Sequence, residues 1–137
     1  MKYGRGLSAA AFAALSVCSA CSPAINVSKP TLMSGAEISQ GKRGETEVFH
    51  LNDRIIQVVD FTWTDPKQDG GVHLCEWKWY RNQVLVSDTP ERRIDFSRTP
   101  FTLHTMRPAA PLGIGQYRVD TLIDGAVVAT SAFAITT

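Results

Sequence analysis

Gln116-Tyr117-Arg118-Val119-Asp120-Thr121-Leu122-Ile123, then Asp124-Gly125, then Ala126-Val127-Val128-Ala129-Thr130-Ser131-Ala132-Phe133-Ala134-Ile135, is the stretch that decides the fold. Two strand-length runs flank an Asp-Gly dipeptide, the pair favoured in a two-residue hairpin because both central positions need positive φ. The reading predicts an antiparallel C-terminal hairpin. Upstream as far as Glu45 the same pattern recurs: short apolar-rich runs, turn residues between them, and no apolar repeat of helical period. Glu47 to Leu51 alternates and is broken by Asn52-Asp53. Ile55, Val59, Phe61 and Trp63 share one face of the next run, thickened by Ile56 and Val58, before Asp65-Pro66 and Asp69-Gly70-Gly71 end it. Val72 to Tyr80 places His73, Cys75, Trp77 and Trp79 on one face and Val72, Leu74, Glu76, Lys78 and Tyr80 on the other. Arg81-Asn82-Gln83 reads as a tight turn into Val84-Leu85-Val86. Arg93 to Phe96 and Phe101 to Met106 follow, then a loop from Pro108 to Gly115. The class is all-β, a single antiparallel sandwich of about seven strands over residues 45–137.

The run Gly115-Gln116-Tyr117-Arg118-Val119, preceded by the Leu112 loop and followed by the Asp-Gly hairpin, resembles the penultimate strand of immunoglobulin-like and fibronectin-like domains. The resemblance implies a tyrosine corner at Tyr117 and a core tryptophan at Trp77 or Trp79. Val119 stands where antibody domains carry their second cysteine, so no inter-sheet disulfide is implied. Such sandwiches host adhesion, assembly, carbohydrate binding and inhibition, so the fold alone selects no activity.

The first 20 residues read as an export signal: Lys2 and Arg5, then an uncharged stretch from Leu7 to Val17, then Cys18-Ser19-Ala20-Cys21. The stretch is too short to span a bilayer comfortably. Its end is similar to the lipobox of bacterial lipoproteins, with Cys21 the processed cysteine because Ala20 precedes it, and Cys18, with Leu15 and Ser16 before it, the alternative. The resemblance implies acyl chains at Cys21, hence a stable membrane anchor, and with Ser22 rather than Asp following, an outer-membrane lipoprotein facing the periplasm. Soluble periplasmic or secreted protein is the alternative. Residues 21–44 then read as the lipid-attachment site and a flexible tether, with a first edge strand around Ile38 as the competing reading.

Without residues 1–20 the chain carries 12 basic against 13 acidic side chains. Such a balance argues against nucleic acid as a partner. With Cys18 removed and Cys21 lipidated, Cys75 is the remaining thiol and reads as a buried small hydrophobe. His73 and Cys75 point to one side of a strand and are weak candidates for a metal site that His50 or His104 would complete. Asp65 and Asp69 fall in a Pro- and Gly-containing loop, where turn formation accounts for them. No Gly-x-Ser-x-Gly or Ser-x-x-Lys occurs, and no cofactor is implied. Tyr80, Phe101, Pro108 and Leu112 are the candidate partner contacts. The sequence reading is therefore a non-catalytic binding or assembly module of the cell envelope, with a protein or glycan partner. A periplasmic inhibitor or chaperone-like protector is the alternative, and a metal-binding periplasmic protein the third.

Overall fold

A computed structural model describes residues 23–35 and 45–137. The export signal, Cys18, Cys21 and the edge strand expected around Ile38 lie outside the described residues. The described chain contains nine strands: β1 Asn26–Val27, β2 Thr31–Ser34, β3 Val48–His50, β4 Arg54–Thr62, β5 Val72–Arg81, β6 Val84–Asp95, β7 Phe101–Pro108, β8 Gly115–Ile123 and β9 Ala126–Thr136, with one helical turn at Ala109–Leu112. They form two sheets. In one, β4 is central, with β7 along one side and β1 and β2 sharing the other. The second runs β3-β9-β8-β5-β6.

The C-terminal hairpin forms as its dipeptide predicts: Asp124 and Gly125 both take positive φ, 52° and 85°, and Ile123 pairs with Ala126. The turn after Arg81 uses the same geometry without glycine, Asn82 and Gln83 standing at φ 46° and 72°. The alternation of β5 also holds. Cys75, Trp77 and Trp79 are buried, while Val72 and Leu74 on the other face are exposed.

Four features differ from the sequence reading. First, residues 26–34 are part of the sandwich, not a tether: Asn26 and Val27 pair with Thr62 and Phe61, and Thr31 to Ser34 pair with Val58 to Ile55. Pro30 interrupts this edge without detaching it, because Ser28 exchanges hydrogen bonds with Asp60 across the gap, N–H to carbonyl at 2.9 Å and Oγ from the Asp60 N–H at 3.0 Å. Second, β3 pairs with β9 in parallel, so the sandwich is not wholly antiparallel. Third, Val84 to Val86 and Arg93 to Phe96 are not separate strands. One strand of 12 residues runs through Pro90, with register shifts between Cys75 and Trp77 and between Trp79 and Tyr80. An edge strand tolerates Pro90 because the missing N–H faces no partner. Fourth, the loop from Pro108 to Gly115 contains a helical turn whose Ala109 is fully buried.

The interior is layered. One apolar cluster gathers Leu32, Phe49, Ile55, Trp79, Tyr117, Val119, Phe133 and Ile135, and a second gathers Val59, Phe61, Trp63, Cys75, Trp77, Phe96 and Leu103. Between them lies a polar level. Gln57 follows Ile55 and precedes Val59 on the inward face of β4, and its side chain is 1 % exposed. Its Nε2 donates to Ser131 Oγ at 2.9 Å and toward the Val119 carbonyl at 3.4 Å, while its Oε1 accepts from Thr121 Oγ1 at 2.5 Å.

Trp79 is fully buried, edge-on to Phe133 at 5.9 Å between centroids, and its Nε1 has no hydrogen-bond partner. An orphaned donor costs about 1–3 kcal/mol, so Trp79 stabilises through volume rather than through its N–H. Trp79→Ala is expected to cost about 3–5 kcal/mol in denaturant unfolding; an unchanged midpoint would mean that the ring is not part of the core.

Candidate binding surface

The strands give the sandwich two distinct ends. The chain enters at the end formed by Ile25, the β4–β5 connection, the β6–β7 connection and the Asp124-Gly125 turn. The opposite end carries the β5–β6 turn, the Pro108 to Gly115 connection and the end of β9. Of the four candidate contacts, Tyr80, Pro108 and Leu112 come to this far end. Phe101 does not: it lies opposite Phe61 at the entry end, half-buried and stacked on Phe96 at 4.6 Å.

At the far end the outer face of the five-stranded sheet holds a shallow depression of about 280 Å³, lined by Tyr80, Asn82, Gln83, Gln116, Arg118 and Ala132, with Tyr117 beneath. Cross-strand register puts Arg118 directly beside Tyr80. The guanidinium carbon sits 4.1 Å from the Tyr80 ring centroid, and Nη1 donates to Gln83 Oε1 at 3.1 Å. Arg118 Nε lies 3.2 Å from Asp120 Oδ1 but is not aligned with it as a hydrogen bond, so that contact is an ion pair set by charge rather than direction. Asp120 is itself fixed by Thr130 Oγ1, which donates to Oδ1 at 2.9 Å. The depression is therefore ringed by side-chain amides around an aromatic-stacked guanidinium whose charge is largely matched. Leu85 pairs with Tyr80 and Val84 with Arg81 at its border, and Val84, Leu85 and Val86 are 64 %, 46 % and 45 % exposed. The depression thus presents donors, acceptors and an apolar margin.

The neighbouring connection is rigid. The Tyr117 hydroxyl lies 2.5 Å from the Leu112 carbonyl and 2.8 Å from that of Gly113, sharing its single proton between them, as the implied tyrosine corner requires. Arg81 Nη2 donates to the Ile114 carbonyl at 2.8 Å. Leu112 consequently packs on the core rather than projecting, and Pro108 is exposed at the end of β7.

The weak metal candidates are employed otherwise. His73 Nδ1 faces Asp124 Oδ2 at 2.7 Å and Nε2 faces the Gly70 carbonyl at 2.9 Å. Cys75 is fully buried, and desolvation, followed by the Asp124 charge, pushes its thiol up to about 11. His50 lies at the far end against the Thr137 carbonyl, and His104 is exposed on β7. No group of three or more His, Cys, Asp or Glu side chains fit to hold a metal occurs among the described residues. The Asp65 and Asp69 carboxylates accept backbone N–H bonds from Lys67 and Gly71 within their own turns.

Of the residues around this depression the sequence reading singled out Tyr80 and not Arg118, Gln83 or Gln116. The available signal was the alternation of β8, which turns Arg118 outward between inward Tyr117 and Val119.

No protein-family model matches the sequence, and no curated protein matches it. Solved structures do. An immunoglobulin-like protein from Pseudomonas aeruginosa superposes with a TM-score of 0.53 at 12 % identity, covering 82 % of this chain and 97 % of that one. The fold is an immunoglobulin-like β-sandwich. The alkylpurine DNA glycosylase AlkC of Pseudomonas fluorescens, bound to DNA containing an abasic site analogue, gives the same TM-score at 10 % identity; 82 % of this chain is covered, but only 30 % of the glycosylase's length. The CARDB domain of a Pyrococcus furiosus protein is similar at a TM-score of 0.41 and 13 % identity, covering 82 % of this chain and 95 % of that domain. At 12 % identity the likeness to the Pseudomonas aeruginosa protein concerns the fold alone.

The burial of Cys75 makes a direct prediction. At pH 8 a thiol reagent is expected to modify Cys75 at least a hundredfold more slowly in the folded sandwich than in denaturant, because the thiolate is both scarce and inaccessible. Comparable rates would show that β5 opens readily.

Proposed function

We propose that this chain is a non-catalytic binding module of the cell envelope, held to a membrane by lipid on Cys21, with Cys18 the alternative, and contacting a protein partner through the Tyr80–Arg118 surface. The observation that carries the reading is the polarity of the sandwich. β1 begins at Asn26, five residues after Cys21, a reach of about 18 Å at most. A lipid there sets the entry end against the bilayer and aims the Tyr80 end away from it, across a ten-residue β5 that spans about 33 Å. Val27, Val72 and Val127 are exposed at the entry end, where they suit an apolar boundary.

At the far end, Tyr80 and its stacked Arg118 guanidinium supply the residue types that anchor protein contacts, and the exposed Val84 to Val86 row supplies apolar area beside them. Partner contact here is through side chains. The β6 edge carries two register irregularities, Pro90 and the charged run Glu91-Arg92-Arg93, which together oppose the addition of a further strand. An inhibitor would need a projecting loop, and the Tyr117 bonds hold the Pro108 to Gly115 connection down against the core.

Crosslinked capture from the native envelope, with mass spectrometry of the mature N-terminal peptide, tests both halves. The expected result is a lipidated N-terminal Cys21 and one dominant protein crosslinked to the wild type, with affinity lowered tenfold or more by Tyr80→Ala or Arg118→Glu. An unmodified N-terminus overturns the anchoring, and capture indifferent to both surface variants overturns the contact surface.

A further inference from the structure

At the entry end, His73 joins two connections that are far apart in sequence. Its Nδ1 lies 2.7 Å from the Asp124 carboxylate in the β8–β9 turn, and its Nε2 lies 2.9 Å from the Gly70 carbonyl in the β4–β5 connection. A carboxylate and a peptide carbonyl only accept. A neutral imidazole has one N–H, so it satisfies one of them and sets a lone pair against the other, whereas the imidazolium donates to both. This geometry is built for the charged ring.

Each partner is held in place independently. Asp124 Oδ1 accepts from the Leu74 N–H at 2.9 Å, and the Asp124 N–H donates to the Leu74 carbonyl at 2.7 Å. Gly70 donates to the Phe96 carbonyl at 2.8 Å and is wedged between rings: a Cβ there would lie 2.6 Å from the Trp63 ring and 2.9 Å from Phe96 Cβ. Trp63 Nε1 donates to the Gln68 carbonyl at 2.6 Å, so the same connection is tied to β4 by the indole. The His73 ring packs on Phe96 at 4.6 Å. Beside this assembly lies a cleft of about 150 Å³, lined by Ile25, Val27, Phe61, Phe96, Ile123 and Val128, with His73 and Asp124 on its wall.

The geometry points to His73 as a proton-operated clasp that fastens the 65–71 connection to the β8–β9 turn on the wall of this apolar cleft. When the ring loses its proton, the remaining N–H stays on the carboxylate, the stronger acceptor. The Nε2 lone pair is then left against the Gly70 carbonyl, and a bond becomes a repulsion. The element that gives way is the connection, since Asp124 keeps both of its bonds to Leu74. The clasp sits at the end opposite Tyr80 and Arg118 and depends on neither the membrane anchor nor the contact surface.

The surrounding charges favour the protonated ring. Burial opposes it and is the largest single influence, but the Asp124 bond, the Gly70 bond and the Asp124 charge together outweigh burial and hold His73 above its ordinary 6.5. Burial also opposes ionisation of Asp124, yet the His73 bond, the Leu74 N–H and the His73 charge keep that carboxyl below 3.8. Among the other groups nearby, Asp69 belongs to the connection, Asp95 closes β6 opposite Val72, Arg92 and Arg93 lie opposite Cys75 and Leu74, and Cys75 is the buried thiol two residues along β5. Desolvation and the Asp69 charge raise the Asp95 carboxyl. The contribution of His73 to stability is therefore complete below pH 6.5 and lost as pH rises through its folded-state value. That of Asp124 is present above 3.8 and lost as pH falls through its lowered value.

Histidine-ring NMR titration of the protein, followed together with the Trp63 indole N–H signal, tests the clasp. The expected result is a His73 midpoint above 6.5, with the Trp63 signal moving at that same midpoint and the 65–71 amides becoming more mobile above it. His73→Phe is expected to remove the pH response of Trp63. Should that variant not fold, Asp124→Asn keeps a residue suited to the positive φ of the turn and is expected to lower the His73 midpoint. A midpoint at or below 6.5, a Trp63 signal indifferent to the titration, or an Asp124→Asn midpoint equal to the wild type would each overturn the proposal.

Discussion

Gln57 is the constraint on which the assembly of the two sheets depends. Its amide is buried at mid-height and is satisfied only when β4 of one sheet faces Thr121 and the Val119 carbonyl on β8 and Ser131 on β9 of the other. A slip of one residue on any of these strands would turn a partner to the opposite face and leave buried polar atoms without bonds. Apolar packing above and below tolerates small adjustments, whereas the amide does not. A fully satisfied polar level of this kind selects one arrangement of an otherwise oily interior. The two apolar clusters on either side are consequences of that registration.

The ends then specialise. The far end is stiffened by Tyr117, whose hydroxyl ties the connection before β8, and by Arg81, which spans from the β5–β6 turn to Ile114. The side chains displayed on such a frame are held in place by the loops beneath them. The entry end is held by rings and one histidine: Phe61, Phe96 and Phe101 pack in series, and His73 lies on the same Phe96. A tyrosine corner at one end and a histidine tie at the other come from the same strands.

What the sequence disclosed was local. The Asp-Gly dipeptide, the Arg81-Asn82-Gln83 turn, the alternation of Cys75, Trp77 and Trp79, and the Gly-x-Tyr-x-Val run each express their geometry within a few residues, and each is found as read. The edge made by β1 and β2 was not legible, since four residues following a proline carry little strand signal until Leu32 is seen to fill the space beside Phe49 and Ile55. β6 was divided in two because Pro90 forbids a central strand but not an edge one. The polar level escaped notice because Gln57, 64 residues from Thr121 and 74 from Ser131, looks on its own like a solvated residue in an apolar run. Likewise His73 shows its partner only once Asp124, 51 residues on, is folded against it. Of the depression at the far end, Tyr80 was legible from strand parity, while Arg118 required the pairing of β5 with β8.

The last strand is paired on both sides, antiparallel to β8 and parallel to β3, and its Phe49 and Thr136 neighbours lie 87 residues apart in the chain. A chain emerging N-terminus first therefore has no complete second sheet until residue 136 is free, and closure awaits contacts of very long sequence separation, which form slowly. β9 is thus the strand that commits the molecule to its shape.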